Sequence, residues 1–233
     1  MRNHKGAFGR FLPIENETQL QAMFADPMVQ KTIQLSDARF KEYCDYYDVF
    51  QLHDYQGWET MEEVYDWIQE QMRANACIKP IQAWEIGYGL DANLPYDVNE
   101  HARNVVKILT ISAAQGAETI IYFPLSDRGS YARGLLSKDG TVGAPATAYQ
   151  VTVSKLANAV SAERLDLGNG VWAYKFGRRS GGDVYVLWST TPKTIALPLS
   201  ASQVTVTDRT GHTKYLPPSE LPVGTDPIFV GSR

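Results

Sequence analysis

Residues 79–89 read KPIQAWEIGYG. An apolar run suited to burial reaches Trp84, meets a carboxylate at Glu85, and then turns through Gly87 and Gly89. Two further stretches have the same build. DVFQLH (48–53) is followed by Asp54 and Tyr55, and ETIIYF (118–123) by Pro124. Helical periodicity separates the three. Met61, Val64, Tyr65, Ile68 and Met72 form one stripe within 59–75, and 98–115 reads as another helix. Strand and helix alternating over short connections predict βαβ units and a parallel sheet. The branched apolar runs suit strands covered on both faces. In such sheets the C-terminal strand ends gather on one face, where sites form. His53, Asp54, Tyr55 and Glu85 are therefore expected to converge.

Upstream, residues 17–35 and 36–47 look helical, with Ser36-Asp37 as the N-cap of the second helix. Downstream, 146–159 reads as one more helix. From about residue 162 the pattern changes. VWAYKFG, DVYVLWST, TIALPL, QVTVTD, HTKYLP and PIFVG are short strands between Gly, Pro, Asn and Asp, several alternating apolar with polar. Arg178-Arg179 reads as a solvated turn before Gly181-Gly182. The expected organisation is an α/β part over 1–160 and a small antiparallel β-sandwich over 161–233.

Composition excludes several classes. Of 233 residues, 44 % are hydrophobic and 21 % charged, with net charge −4, which is ordinary globular make-up. No Lys/Arg run exceeds two residues, which argues against a nucleic-acid or anionic-membrane partner. No apolar run approaches the roughly 18–20 residues of a membrane span, and MRNHKGAFGR has no apolar stretch behind it, so a soluble chain without a signal peptide is expected. Asn16-Glu17-Thr18 matches the glycosylation acceptor pattern. Cys44 and Cys77 fit no zinc spacing and are expected to be buried free thiols. The histidines at 4, 53, 101 and 212 include no HExxH and no metal-ligand pair. There is no Walker loop, and Ser126 and Ser130 lack a nucleophile elbow.

KPIQAWEIG resembles the K-P-x-x-x-T-E-x-G pattern on the seventh strand of the retaining clan A glycoside hydrolases, (β/α)8 barrels that include β-xylosidases and cellulases. DVFQLHDYQG is similar to that clan's sixth strand with its H-x-Y motif. GLLSKDGTVGAPATAY is similar to the segment leading into the eighth helix, and the terminal β region to the clan's C-terminal module. The resemblance covers most of 45–233. It implies the last three strands and helices of a TIM barrel followed by an all-β sandwich, with Glu85 as catalytic nucleophile. His53 and Tyr55 would orient Glu85 and contact the sugar. Trp58, Tyr88 and Phe123 would offer apolar faces to sugar rings. The nucleophile must be an anion, and a tyrosine hydroxyl with an imidazole beside it would hold one.

The sequence also departs from the pattern. Trp84 stands where the clan has Thr, and the eighth strand ends in Phe-Pro where many relatives have Trp. A whole barrel needs about 250 residues, and retaining hydrolysis needs a second carboxylic acid about 5–5.5 Å from the nucleophile. No Asn-Glu pair follows a strand here to supply it. The resemblance thus implies a glycosidase portion acting on neutral oligo- or polysaccharide, without cofactor or metal, inactive alone and completed by self-association or a missing barrel half. Taken singly, the residues keep blander readings: Glu85 a strand-end ion pair, His53 a hydrogen-bonded core histidine, Trp58 and Tyr88 plain packing. The rival class is a non-catalytic carbohydrate-binding or interaction module.

Overall fold

A computed structural model describes residues 17–89, 96–127, 132–179 and 181–231. Asn16 of the acceptor pattern, the charged N-terminal decapeptide with His4, and Ser130 lie outside the described residues. The chain divides into two compact units. One holds the chain up to Phe50 with Glu63–Pro80, the other Gln51–Glu62 with Ile81 onward.

In the first unit, α1 (Glu17–Ala25) and α2 (Pro27–Lys41) break at Asp26, ten residues before the expected Ser36-Asp37 boundary. The reason is local. The Asp26 carboxylate accepts from the Met28 N–H at 2.7 Å, and Pro27 opens the new helix, where its missing N–H costs nothing. Asp37 instead lies within α2 and pairs with Lys41 at 3.0 Å.

The cysteines correct the expectation of free thiols. Cys44, in a short 3-10 turn (Cys44–Tyr46), is disulfide-bonded to Cys77, with Cα atoms 5.7 Å apart. A gap of 33 residues in sequence is silent about this spacing, which lies within the range a disulfide spans. Phe40 stacks on Phe50 at 5.3 Å, and the Trp67 ring meets Phe40 edge-on.

β1 (Phe50–Asp54), β2 (Ile81–Ile86) and β4 (Thr119–Tyr122) form one sheet in the order β1-β2-β4. β2 and β4 are parallel. The bonds Phe50 N–H to Pro80 O and Gly87 N–H to Asp54 O advance along both strands together, so β1 runs the same way. A short strand, β3 (Tyr88–Gly89), pairs with β5 (Ala132–Arg133). Helix α3 (Met61–Ala74) follows β1, with Met61, Tyr65, Ile68 and Met72 buried at the expected spacing. α4 (Val98–Ala114), capped by Asp97, is almost wholly buried and packs on α5 (Ala144–Leu156).

α5 ends three residues before the sequence reading. Asn158, at φ 62°, takes the left-handed turn that ends many helices and starts β6 (Ala159–Arg164). From there the antiparallel region runs through β7 (Val171–Arg178), β8 (Asp183–Ser189), β9 (Lys193–Ile195), β10 (Val204–Asp208), β11 (Thr213–Leu216), β12 (Leu221–Val223) and β13 (Ile228–Gly231). One sheet has the order β11-β10-β13-β8-β7-β6, and β12-β9 form the other. Between them lies a core of Ala173, Leu187, Ile195, Val206, Leu221 and Val230. The architecture is an α/β region of parallel strands and helices followed by an antiparallel sandwich.

Among the described residues, the parallel sheet is covered on one side. Along β1, Phe50, Leu52 and Asp54 are buried while Gln51 and His53 are exposed. Trp84, Thr119, Ile121 and Phe123 are likewise exposed. Parallel sheets are normally covered on both faces.

Candidate functional site

Strict alternation along β2 would put Glu85 on the covered face with Ile81 and Ala83. It does not lie there. Ala83 pairs with Ile120 but Ile86 pairs with Tyr122, so three steps on β2 match two on β4. This β-bulge sets both Trp84 and Glu85 against Ile121 and returns Ile86 to the core. Bulges re-aim side chains in this way beside functional sites. Glu85 is thereby delivered to the open face at the C-terminal strand ends.

There, Tyr55 donates its hydroxyl to Glu85 Oε2 at 2.6 Å, and His53 Nδ1 lies 3.3 Å from the same oxygen. Neither contact uses Oε1. The Glu85 side chain is 38 % exposed. Burial, then the hydrogen bond and charge of Glu85, push the Tyr55 hydroxyl well above the usual phenol range, so it stays a donor. Phe123 is exposed beside them, its ring 6.3 Å from that of Tyr55 and edge-on.

Gly87 lets the strand ends meet. A Cβ there would sit 2.2 Å from the Phe123 carbonyl oxygen and 3.3 Å from the Tyr55 ring. Only glycine allows that approach while Gly87 N–H bonds to Asp54 O and Phe123 N–H to Ile86 O. The glycine after the glutamate answers a steric demand from the neighbouring strands.

Behind the site lies a buried polar cluster. His101, fully buried on α4, meets Tyr122 OH through Nε2 at 2.6 Å and Tyr96 OH through Nδ1 at 3.0 Å. Tyr122 OH also accepts the Tyr88 N–H at 3.1 Å, and the Tyr88 ring stacks on His101 at 4.9 Å. Burial, then the charge of Arg133, push the His101 imidazole down to about 3.

Of the residues expected at the site, the structure brings Glu85, His53, Tyr55 and Phe123 together. Tyr88 is next to them in the chain, but one face of its ring is occupied by His101. Trp58 is placed elsewhere. It is 6 % exposed, meets Trp172 and Trp188 edge-on at 5.0 and 5.7 Å, and has Lys107 Nζ 4.4 Å from its ring centroid. It is a core aromatic between the helical region and the sandwich, not an open platform. Asp54 faces the covered side, 7 % exposed, and accepts the Gln56 N–H at 2.7 Å.

Sequence reasoning passed over Gln51 and the His101 cluster. Gln51 carried a signal, since positions two apart share a strand face. The cluster unites residues from α4, β4 and the loop before α4, and no local pattern announces it. Among the described residues, no group of three or more His, Cys, Asp or Glu is gathered to hold a metal.

No family model and no curated protein sequence matches the chain. Solved structures do. A family 39 glycoside hydrolase from Bacteroides cellulosilyticus WH2 superposes with TM-score 0.65 at 16 % identity, over 82 % of this chain and 45 % of that one. A 4-O-α-L-rhamnosyl-β-D-glucuronidase from Fusarium oxysporum 12S gives 0.55 at 14 %, over 82 % and 55 %. A GH51 arabinofuranosidase from Xanthomonas axonopodis pv. citri gives 0.52 at 11 %, over 84 % and 55 %. The chain spans about half the length of each. The fold thus resembles that of glycoside hydrolase superfamily members generally.

Proposed function

We propose that this chain is the C-terminal portion of a retaining glycoside hydrolase and that Glu85 is its nucleophile. The observation that carries this is the bulge-directed carboxylate, which Tyr55 and His53 both meet at Oε2 and not at Oε1. In this reading Oε1 attacks the anomeric carbon, the glycosidic bond breaks, and a glycosyl ester forms on Glu85. Tyr55 and His53 orient the carboxylate and meet the sugar, and Phe123 offers it an apolar face. Tyr88 has a supporting place through its backbone, and Trp58 a structural one.

The general acid comes from strands outside this chain. Those strands would extend the sheet from its open edges and cover its exposed face. The substrate is a neutral oligo- or polysaccharide, and no cofactor is required. The Cys44–Cys77 disulfide favours an oxidising, extracytoplasmic compartment. Among the described residues no helix is long and apolar enough to cross a membrane.

The test avoids the missing acid. A dinitrophenyl glycoside leaves without protonation, and azide can then intercept the glycosyl ester. The chain incubated with a panel of such glycosides and azide is expected to yield a glycosyl azide of retained configuration. Glu85→Gln should abolish it. Absence of any azide adduct from the wild-type chain overturns the nucleophile assignment. The open sheet face also favours a second reading, an interaction module that covers this face by pairing. Concentration-dependent dimerisation with no azide product would select it.

A further inference from the structure

The imidazole beside Glu85 has a second partner. Gln51 and His53 lie two residues apart on the exposed face of β1, and the Gln51 side-chain nitrogen Nε2 meets His53 Nε2. An ionised carboxylate only accepts hydrogen bonds, so the ring nitrogen facing Glu85, Nδ1, must carry a proton to bond there. A neutral imidazole has one N–H, which leaves Nε2 as an acceptor. An amide NH2 group is a donor that satisfies it. The alternative neutral tautomer would aim the Nδ1 lone pair at a carboxylate while presenting Nε2–H to an NH2 group, unfavourable at both ends.

We propose that Gln51 is a positioning residue that, together with Glu85, sets the tautomer of His53, so that the imidazole donates from Nδ1 to Glu85 Oε2 and accepts at Nε2. The chain of contacts is Gln51 to His53 to Glu85, with Tyr55 donating to the same oxygen. His53 is then a donor on the carboxylate, and its ring plane is held from both sides. This use of the site rests on the reading of Glu85 as nucleophile. The tautomer itself does not, and it is measured without any sugar.

The experiment is nitrogen-15 NMR of the full chain with labelled histidine at neutral pH, the His53 signals being assigned by their loss in His53→Gln. The expected result is a pyrrole-type shift at Nδ1 and a pyridine-type shift at Nε2, the reverse of the form free histidine prefers. In Gln51→Leu the Glu85 carboxylate still favours a proton on Nδ1, so the Nδ1 shift should move part of the way towards pyridine type. In Gln51→Glu, whose carboxylate accepts at Nε2, that nitrogen should become protonated. A wild-type ring protonated at Nε2 alone, or at both nitrogens, overturns the proposal. So does a Gln51→Leu spectrum unchanged from wild type. Failure of the azide reaction with the expected tautomer in place would sink the nucleophile reading and leave the Gln51 assignment standing.

Discussion

At the scale of single residues, the site depends on one oxygen of one carboxylate. Tyr55 contributes a 2.6 Å hydrogen bond to it, and hydrogen bonds to charged groups are worth about 1.5–3 kcal/mol. Tyr55→Phe should therefore slow azide-dependent turnover roughly 10- to 100-fold, without a matching loss of thermal stability in a melting scan. His101 makes a different prediction. Its imidazole is pushed from 6.5 down to about 3, so the unfolded chain binds the proton first as pH falls. A depressed histidine contributes stability that is whole above about 6.5 and is lost as pH drops towards 3. Denaturant unfolding across that window should show a loss of up to about 1.4 kcal/mol per pH unit. His101→Phe should flatten that slope. Glu85, His53 and Tyr55 were legible as candidates because strand ends in a parallel sheet share a face. The burial of Trp58 was not, since its partners Trp172 and Trp188 lie more than a hundred positions away on β7 and β8.

At the scale of elements, the bulge in β2 decides what Glu85 can do. Alternation counted from Ile81 would bury the glutamate, and nothing in IQAWEI marks the extra residue. The bulge arises from pairing with β4, a tertiary event. Gly87 was visible as a glycine, but its steric role depends on the Phe123 carbonyl. Gly87→Ala should cost about 1–3 kcal/mol, as overpacking does, and should also abolish azide turnover because it forces β2 and β4 apart beside Glu85. Calorimetry together with the turnover assay checks both. The disulfide belongs to this scale too. Its 33-residue loop encloses β1 and the whole of α3, and cross-links of this kind contribute about 2–4 kcal/mol. Reduction, or Cys44→Ala with Cys77→Ala, should lower the unfolding free energy of the first unit by that amount. The N-cap at Asp26 and the turn at Asn158 were both readable in hindsight. Asp-Pro marks an N-cap with proline in the first turn, and a lone Asn tolerates the left-handed turn that ends a helix.

At the scale of the molecule, the sandwich is tied to the helical region by ionic contacts as well as by the tryptophan cluster. Arg103 on α4 reaches Glu100 at 2.9 Å and Asp226 at 3.1 Å, and Arg209 reaches Asp226 at 2.8 Å. Burial raises the Asp226 carboxyl, but Arg209 and Arg103 more than offset this and hold it below the usual range. Such a carboxylate contributes above its ordinary pKa and loses that contribution as pH falls through the lower folded value. Strand alternation and turn residues made the change of architecture near residue 160 legible. They could not show that, among the described residues, the parallel sheet keeps one face open, with Gln51, His53, Trp84 and Ile121 exposed at the candidate site. The most direct measurement is mass spectrometry of the chain after incubation with dinitrophenyl 2-deoxy-2-fluoro-glycosides, which trap a glycosyl ester without needing a general acid. A single glycosyl adduct on the peptide containing Glu85, absent in Glu85→Gln, is the predicted result. No adduct with any sugar of the panel, or an adduct that persists in Glu85→Gln, would contradict the assignment of Glu85 as the nucleophile.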